Sequence, residues 1–470
     1  MSSSYAPRPT FQTTLRTFAQ DPDLPFADLL TEDHIQTACD ELGIDFATEL
    51  HHFWTPTFTL WTLLTQAISG SKSCVAAVAR ALVLRVSLGL DPCSGNTGAY
   101  CKARAKLPVA LLSRLATHLG DELEQQADKA WQWKGRRVLL GDGTTVSGPD
   151  TPENQAEYPQ PKSQKRGLGF PMIRLVVLLG FATGALVGGA LGPCSGKEVG
   201  EMALLRELLD RFQPGDVYVA DRAHCSYCLL AALRARGVDV AIRLHQSRHY
   251  DFNNGRRLGH DDHVVEWTRP ARPDWMDKPT YQATPITLTV REVRFRVDRP
   301  GYRTREIIVA TTLTDATKYT RDDIAELYHH RWRVELSIRD IKETLGMDVL
   351  RGKTPEVLRR EIWTHLLAYN LVRQVIAQSA REREVSPRGI SFAGAMQTLD
   401  AFRVTLQMGD GESWVKKVEA LFWAIGGHRV GERPDRCEPR EVKRRPKAYP
   451  LMTRPRATRR TELMATAENR

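Results

Sequence analysis

Residues 175–196, LVVLLGFATGALVGGALGPCSG, carry no charge, and Gly180, Gly184, Gly188 and Gly192 recur at every fourth position. A run of that length can cross a bilayer as one helix, and small residues at that spacing let membrane helices pack closely. The same letters also read as two short apolar runs, LVVLLGF and ALVGGAL, joined by a turn at ATG. The compact, partly β-branched runs favour a buried hairpin, with a spanning helix as the alternative.

The flanking sequence supplies a context for the hairpin. RRVLLGDG, from Arg136, reads as a short apolar strand ending at Gly141-Asp142-Gly143, and DVYVADRA, 216–223, as a second one ending in Asp221. Helical periodicity marks KEVGEMALLRELLDRF, 197–212, and SYCLLAALRARG, followed by the strand VDVAIRLH. Strands alternating with helices indicate an α/β class. Residues 1–130 are mostly helical in pattern, 246–305 are β-rich with turn signals, and EIIVATTL resumes a buried strand at 306. The expected division is therefore 1–130 helical, 131–245 the first part of an α/β domain, 246–305 an insertion, 306–380 its second part, and 381–470 a helical C-terminal region.

Lys and Arg outnumber Asp and Glu by 66 to 56, for a net charge of +10 and a pI near 9.2. That balance suits a polyanionic partner such as DNA. The tail EVKRRPKAYPLMTRPRATRR, 441–460, is a phosphate-binding arm or a solvated end. Eight scattered cysteines and no signal-peptide pattern lead to the expectation of a reducing, cytoplasmic setting. Cys225 and Cys228 form a CxxC without a matching second pair for zinc. His260-Asp261-Asp262-His263 reads as a polar loop, and GMDVLRGKT, 346–354, has one residue too many between its glycines for a nucleotide-binding P-loop.

The segment YHHRWRVELSIRDIK, 328–342, surrounds one acid with bases. On a single helix Tyr328, Arg331, Glu335 and Lys342 would share a strip about 60° wide. Leu327, Val334, Ile338 and Leu345 form an apolar stripe beside it, with Arg333, Ser337 and Asp340 pointing away. The plain reading is an ordinary Arg331–Glu335 helical ion pair. Asp142 and Asp221, each at an expected strand end, suggest more, because strand ends are where α/β folds expose site residues. Three carboxylates brought together need a cation, and hard oxygens suit two Mg2+ or Mn2+ ions. Arg331, Lys342 and the Tyr328 hydroxyl would then hold a phosphate beside them.

The pattern Y-x2-R-x3-E-x6-K, met by Tyr328, Arg331, Glu335 and Lys342, resembles the signature of the DDE insertion-sequence transposases of the IS-four group. The resemblance spans roughly 50–380 and includes TLWTLLTQAISGSKSC, NTGAYCKARAKLP and PENQAEYPQP, for which no role is apparent. It implies an RNase H-like catalytic domain interrupted by a β-rich insertion, with 175–196 as a sheet hairpin rather than a membrane span. Asp142 and Asp221 match the family's two catalytic aspartates, with Glu335 the third acid. After Asp221 this chain has Ala223 and His224 where many relatives have glycine and an aromatic.

The activity implied is metal-dependent cut-and-paste DNA transposition: hydrolysis at the element ends, a hairpin intermediate, then strand transfer by the freed 3′-hydroxyl, with no covalent protein intermediate. A homodimer would pair two DNA ends through the N-terminal region. Trp267 and Trp275 are candidates, by location, for stacking a flipped base. The competing functions are a nuclease that cuts without joining and a DNA-binding descendant that has lost catalysis.

Overall fold

Two apolar runs joined by a tight turn can satisfy their backbone groups only by pairing, and in a computed structural model residues 175–196 do so. The structure describes residues 32–43, 53–87, 92, 94–196, 199–296, 306–407, 411–431 and 452–468. The basic tail expected at 441–460 lies outside the described residues up to 451. Among the described residues no helix is long and apolar enough to cross a membrane.

Among the described residues five helices come first: α1 (Glu32–Glu41), α2 (Pro56–Ile68), α3 (Cys74–Ser87), α4 (Thr97–Lys106) and α5 (Val109–Gln125). Thr55 starts α2 by accepting the Phe58 N–H at 3.2 Å, ahead of Pro56 in the first turn, where its missing N–H costs nothing. Strand β1 (Val138–Ser147) opens the sheet, and after α6 (Pro152–Glu157) come β2 (Met172–Gly180) and β3 (Leu186–Pro193). These last two form the antiparallel hairpin, and Gly184 takes its turn at φ +79.

There follow α7 (Glu201–Arg206), β4 (Val217–Ala220), α8 (Tyr227–Ala235), β5 (Asp239–Arg243), β6 (Arg256–Gly259), β7 (Asp262–Thr268), α9 (Lys278–Ala283), β8 (Thr287–Arg296) and β9 (Glu306–Thr311). Helices α10 (Arg321–His329), α11 (Trp332–Arg339), α12 (Pro355–Glu382), α13 (Phe392–Gln407), α14 (Gly411–Gly427) and α15 (Arg456–Glu468) complete the chain.

The strands make one mixed nine-stranded sheet in the order β3-β2-β1-β4-β5-β9-β8-β7-β6. Strand β1 runs antiparallel to β2 and parallel to β4, which is parallel to β5. The strands of 246–305 continue this sheet through β9. Because side chains alternate between faces, Val138, Leu140, Val217 and Val219 enter one core with Leu115 and Leu366. Leu139, Val176 and Tyr218 enter the other with Leu204 and Leu230. Helix α5 approaches so closely that a Cβ on Gly120 would lie 1.8 Å from the Leu186 carbonyl oxygen.

Several expectations are corrected by these contacts. The helix expected over 197–212 is confined to Glu201–Arg206 with a 3-10 turn at Leu209–Arg211, and residues 197–198 lie outside the described set. The supposed polar loop 260–263 is half buried in β7: Asp262 accepts two bonds from fully buried Arg291 at 2.7 and 2.6 Å, and His263 meets Glu292 at 3.1 Å. Ser337 and Asp340 do not face solvent. Arg388 donates to Ser337 at 3.1 Å and Arg373 lies 3.6 Å from Asp340.

Candidate active site

Asp142 is not at a strand end, because β1 runs on to Ser147. What ends beside it is the pairing with β4, whose last register pair is Gly141 with Ala220. Asp221 is the next residue after β4 and remains extended, at φ −79 and ψ −178. By alternation the two aspartates therefore leave adjacent strands on the same face at the same register step. Asp142 Oδ1 accepts the Gly143 N–H at 2.8 Å, and Asp221 Oδ1 accepts the Ala223 N–H at 2.8 Å, capping the 3-10 turn Arg222–His224.

The expected single helix is replaced by two helices and a wide turn. A Thr320–Asp323 capping box starts α10, which ends at His329. Arg331, Arg333 and Val334 then donate to Tyr328, His330 and Arg331 three residues back, tightening the backbone between α10 and α11. Asp340–Thr344 is a π turn, closed by the Leu345 N–H on the Asp340 carbonyl. The tight and wide turns change the helical phase in opposite senses, and Glu335 and Lys342 both still meet the region of β1. The apolar stripe docks as expected: Leu327, Val334 and Leu345 are buried.

Arg331 links the acids. Its guanidinium donates to Glu335 Oε1 at 2.6 Å and lies 4.0 Å from Asp142 Oδ2. Lys342 Nζ donates to the Thr145 carbonyl at 2.9 Å and the Thr144 hydroxyl at 3.3 Å, farther along β1. Tyr328 is buried beneath this group, and burial pushes its hydroxyl up to about 12 while Arg331 opposes the rise. Burial also pushes Asp142 up to about 6, with Asp221 and Glu335 adding to the rise and the Gly143 N–H and Arg331 opposing it. The Asp142 carboxylate thus senses the other two. Among the described residues no three His, Cys, Asp or Glu side chains stand in ligating geometry, and Glu335 is turned to Arg331 instead. The donor set, three carboxylates with a cationic group already among them, fits a hard divalent ion once Glu335 releases Arg331.

The opposite face of β1 holds groups that the sequence reading passed over. Tyr218 lies under Gly141, where a Cβ would come within 2.0 Å of its hydroxyl, and that hydroxyl shares a 2.6 Å hydrogen bond with His224 Nδ1. His224 is 1% exposed, and burial pushes it down to about 4, so it is neutral. Glu201 packs against Gly143 and pairs with Arg174 at 3.3 Å. The available signal was the glycine on either side of Asp142, which leaves room for these side chains.

The two stacking candidates differ in setting. Trp267 is 6% exposed in the second core, its indole N–H donates to Glu292 at 2.9 Å, and Arg248 covers its ring at 3.7 Å, so no face is open to a base. Trp275 is 37% exposed, with Arg206 over its ring at 3.9 Å.

Comparison with known proteins bears on the same region. The family model for the transposase DDE domain matches residues 133–371. The transposase InsG of insertion sequence element IS4 from Escherichia coli (strain K12) is 28% identical over 358 residues, covering 75% of this chain and 77% of InsG. A shorter similarity, 34% over 88 residues, covers 19% of this chain and 22% of a probable transposase of IS5377 from Geobacillus stearothermophilus. A solved piggyBac transposase synaptic complex with hairpin DNA overlays 91% of this chain and 87% of its own at 11% identity and a TM-score of 0.42. The family match takes in just over half of the chain, from before β1 into α12. On that match and the similarity to InsG, the chain belongs to the transposase DDE-domain family and is a DNA transposase of the IS4 kind.

Proposed function

We propose that Asp142, Asp221 and Glu335 are the catalytic acids of metal-dependent cut-and-paste transposition, in an RNase H-like domain that 246–305 interrupts. The observation that carries this reading is that one guanidinium joins Glu335 to Asp142, whose strand neighbour is Asp221, with Asp142 pushed up to about 6 by burial and further by the other two acids. Like charges crowd together in a protein where a cation is to neutralise them. The three carboxylates would hold Mg2+ or Mn2+, and when bound, two such ions supply an activated nucleophile and stabilise the departing oxygen.

The remaining steps belong to side chains of the chain. Arg331 exchanges Glu335 for a phosphate oxygen, so that DNA binding itself frees the third carboxylate. Lys342 leaves two neutral acceptors on β1 for the same phosphate, a stronger charge-assisted contact. Tyr328 stays protonated and offers a hydrogen bond from below. Tyr218, His224 and Glu201 support the β1 backbone from behind, so the Asp142 carboxylate is held by both faces of its strand. The same site performs end hydrolysis and attack by the freed 3′-hydroxyl, passing through the DNA hairpin that the resemblance implies. Two copies of the chain pair two terminal repeats through residues 1–130, in association with DNA in the cytoplasm.

The deciding experiment is Mg2+- or Mn2+-dependent cleavage and joining of DNA carrying the repeats that flank the gene, in the parent and in Asp142→Ala. Paired end cuts and joined products, lost in the variant, are expected. Cuts without joining identify a nuclease, and tight binding without cleavage identifies a DNA-binding descendant.

A further inference from the structure

The two N-terminal motifs left without a role, TLWTLLTQAISGSKSC and NTGAYCKARAKLP, meet at a cavity of about 290 Å3 between α2, the start of α3, α4 and α12. We propose that this cavity is a second, non-catalytic phosphate site, which takes a backbone phosphate of the bound DNA end. Only the choice of DNA as the source rests on the transposition reading above.

The cavity is short of negative charge. Lys72, Arg104 and Arg351 line it, and among the described residues none of the three has a carboxylate within ion-pair range. Lys72 is held by two neutral groups. Its ammonium donates to the Leu345 carbonyl and lies 3.3 Å from His365 Nε2. His365 Nδ1 contacts the Glu361 carbonyl at 2.8 Å, and a carbonyl only accepts, so Nδ1 carries the proton and Nε2 presents its lone pair to Lys72. Burial pushes His365 down to about 4 and Lys72 down to about 8, a fall that Arg351 adds to and that Glu361 and Asp348 only partly oppose.

The one acid in the lining, Glu361, opposes the fall in the Lys72 pKa through space but does not pair with the ammonium. Glu361 spends Oε2 on the Arg351 and Gly352 N–H groups, at 2.9 and 3.0 Å, and burial raises its pKa. Arg360 is already engaged by Glu356 and the carbonyls of Leu107 and Ala105. An ammonium whose direct partners are neutral acceptors alone is costly, and a tetrahedral oxyanion bonded to Lys72 and flanked by two guanidinium groups removes that cost.

The loop that carries Lys72 is built to hold it there. Gln66 Nε2 donates to the Lys72 carbonyl at 2.7 Å, and Gln66 Oε1 accepts the buried Tyr100 hydroxyl at 2.6 Å. The position of the cavity favours DNA over a free ion. Leu345, which Lys72 grips, follows the π turn that carries Lys342, so an anion on Lys72 touches the segment that aims Lys342 at β1. One DNA end could engage both lysines, and occupancy of the cavity would be felt at the catalytic helix.

The test titrates full-length, DNA-free protein with inorganic phosphate by calorimetry, then repeats the titration with duplex carrying the terminal repeats already bound. In parallel, the affinity for that duplex is followed across a salt series. Arg104→Gln with Arg351→Gln is the primary variant, since neither side chain is in the core, and Lys72→Gln is the second. Phosphate heat that both variants lose and that bound DNA abolishes is expected, with the log–log salt slope falling by about 0.9 for each backbone contact removed. Phosphate heat that persists with DNA bound, with unchanged slopes, overturns DNA as the source and leaves a free-phosphate site. Absence of phosphate heat together with unchanged slopes overturns the site. Asp142→Ala is the control: loss of cleavage there with a normal slope keeps the catalytic reading whatever the cavity variants do.

Discussion

Replacing Asp142 by Asn should make the metal-free protein more stable, and only over part of the pH range. Asn has the same shape and keeps an oxygen for the Gly143 N–H, so the change removes the charge and little else. The carboxyl is pushed from an ordinary value of 3.8 to about 6, mainly by burial. A carboxyl whose folded pKa is raised binds more protons folded than unfolded between those two values, so stability falls as pH rises through that window. Above it the ionised group costs roughly 3 kcal/mol, at about 1.4 kcal/mol per pH unit of displacement. The side chain is only 22% exposed, so solvent screening takes away little of this.

Urea unfolding of parent and variant in chelator, at a series of pH values, reads the difference directly. The Asp142→Asn variant should be more stable by about 3 kcal/mol above about pH 6, with the advantage gone below about pH 4. Adding Mn2+ to about a thousandfold its dissociation constant should reverse the order, since it stabilises the parent by about 4.1 kcal/mol and the variant by much less. A difference that ignores pH, or a parent already more stable than the Asp142→Asn variant in chelator at neutral pH, would refute the account of Asp142 as a charge held for a cation.

Three further outcomes are expected. Arg331→Ala frees Glu335 and so should raise Mn2+ affinity of the DNA-free protein, read by electron paramagnetic resonance, while lowering end cleavage; unchanged metal affinity would show that the guanidinium does not compete for the site. Gly141→Ala drives a Cβ into Tyr218, with ring carbons at 2.6 Å as well as the hydroxyl, and should cost about 1–3 kcal/mol in thermal unfolding, with Tyr218→Phe failing to relieve it. Asp262→Ala strands the fully buried Arg291 and should cost about 3–5 kcal/mol, whereas Asp262→Leu with Arg291→Met should cost less; equal losses would contradict the desolvation argument.

Much of this was legible in the sequence because it is local. Strand and helix periods are set by a few neighbouring side chains, so LVVLLGF and ALVGGAL could be read as strands and Leu327, Val334 and Leu345 as a docking stripe. The spacing of Tyr328, Arg331, Glu335 and Lys342 pointed to one surface, although the helix beneath them is tightened at Arg331 and widened at Asp340–Thr344. The buried network of Asp262, Arg291, His263, Glu292 and Trp267 was not legible. Its members lie on facing strands 25 or more positions apart, and alone each polar residue looks like a loop or surface group.

By itself, then, the chain's sequence determined the α/β class, the helical character of the described residues before β1 and after β9, the pairing tendency of 175–196 and the acid and base spacing that the family match takes in. Tertiary structure alone decided that Asp142 stands where the β1–β4 pairing stops rather than where β1 ends, and that β6 to β8 extend the same sheet. It also decided that Arg331 occupies Glu335, and that Lys72 faces a cavity with neutral acceptors and no paired acid. The division has a single physical cause. Periodicity follows from dihedral angles repeated along the chain, whereas strand register and the neutralisation of a charge depend on partners that only folding brings into range.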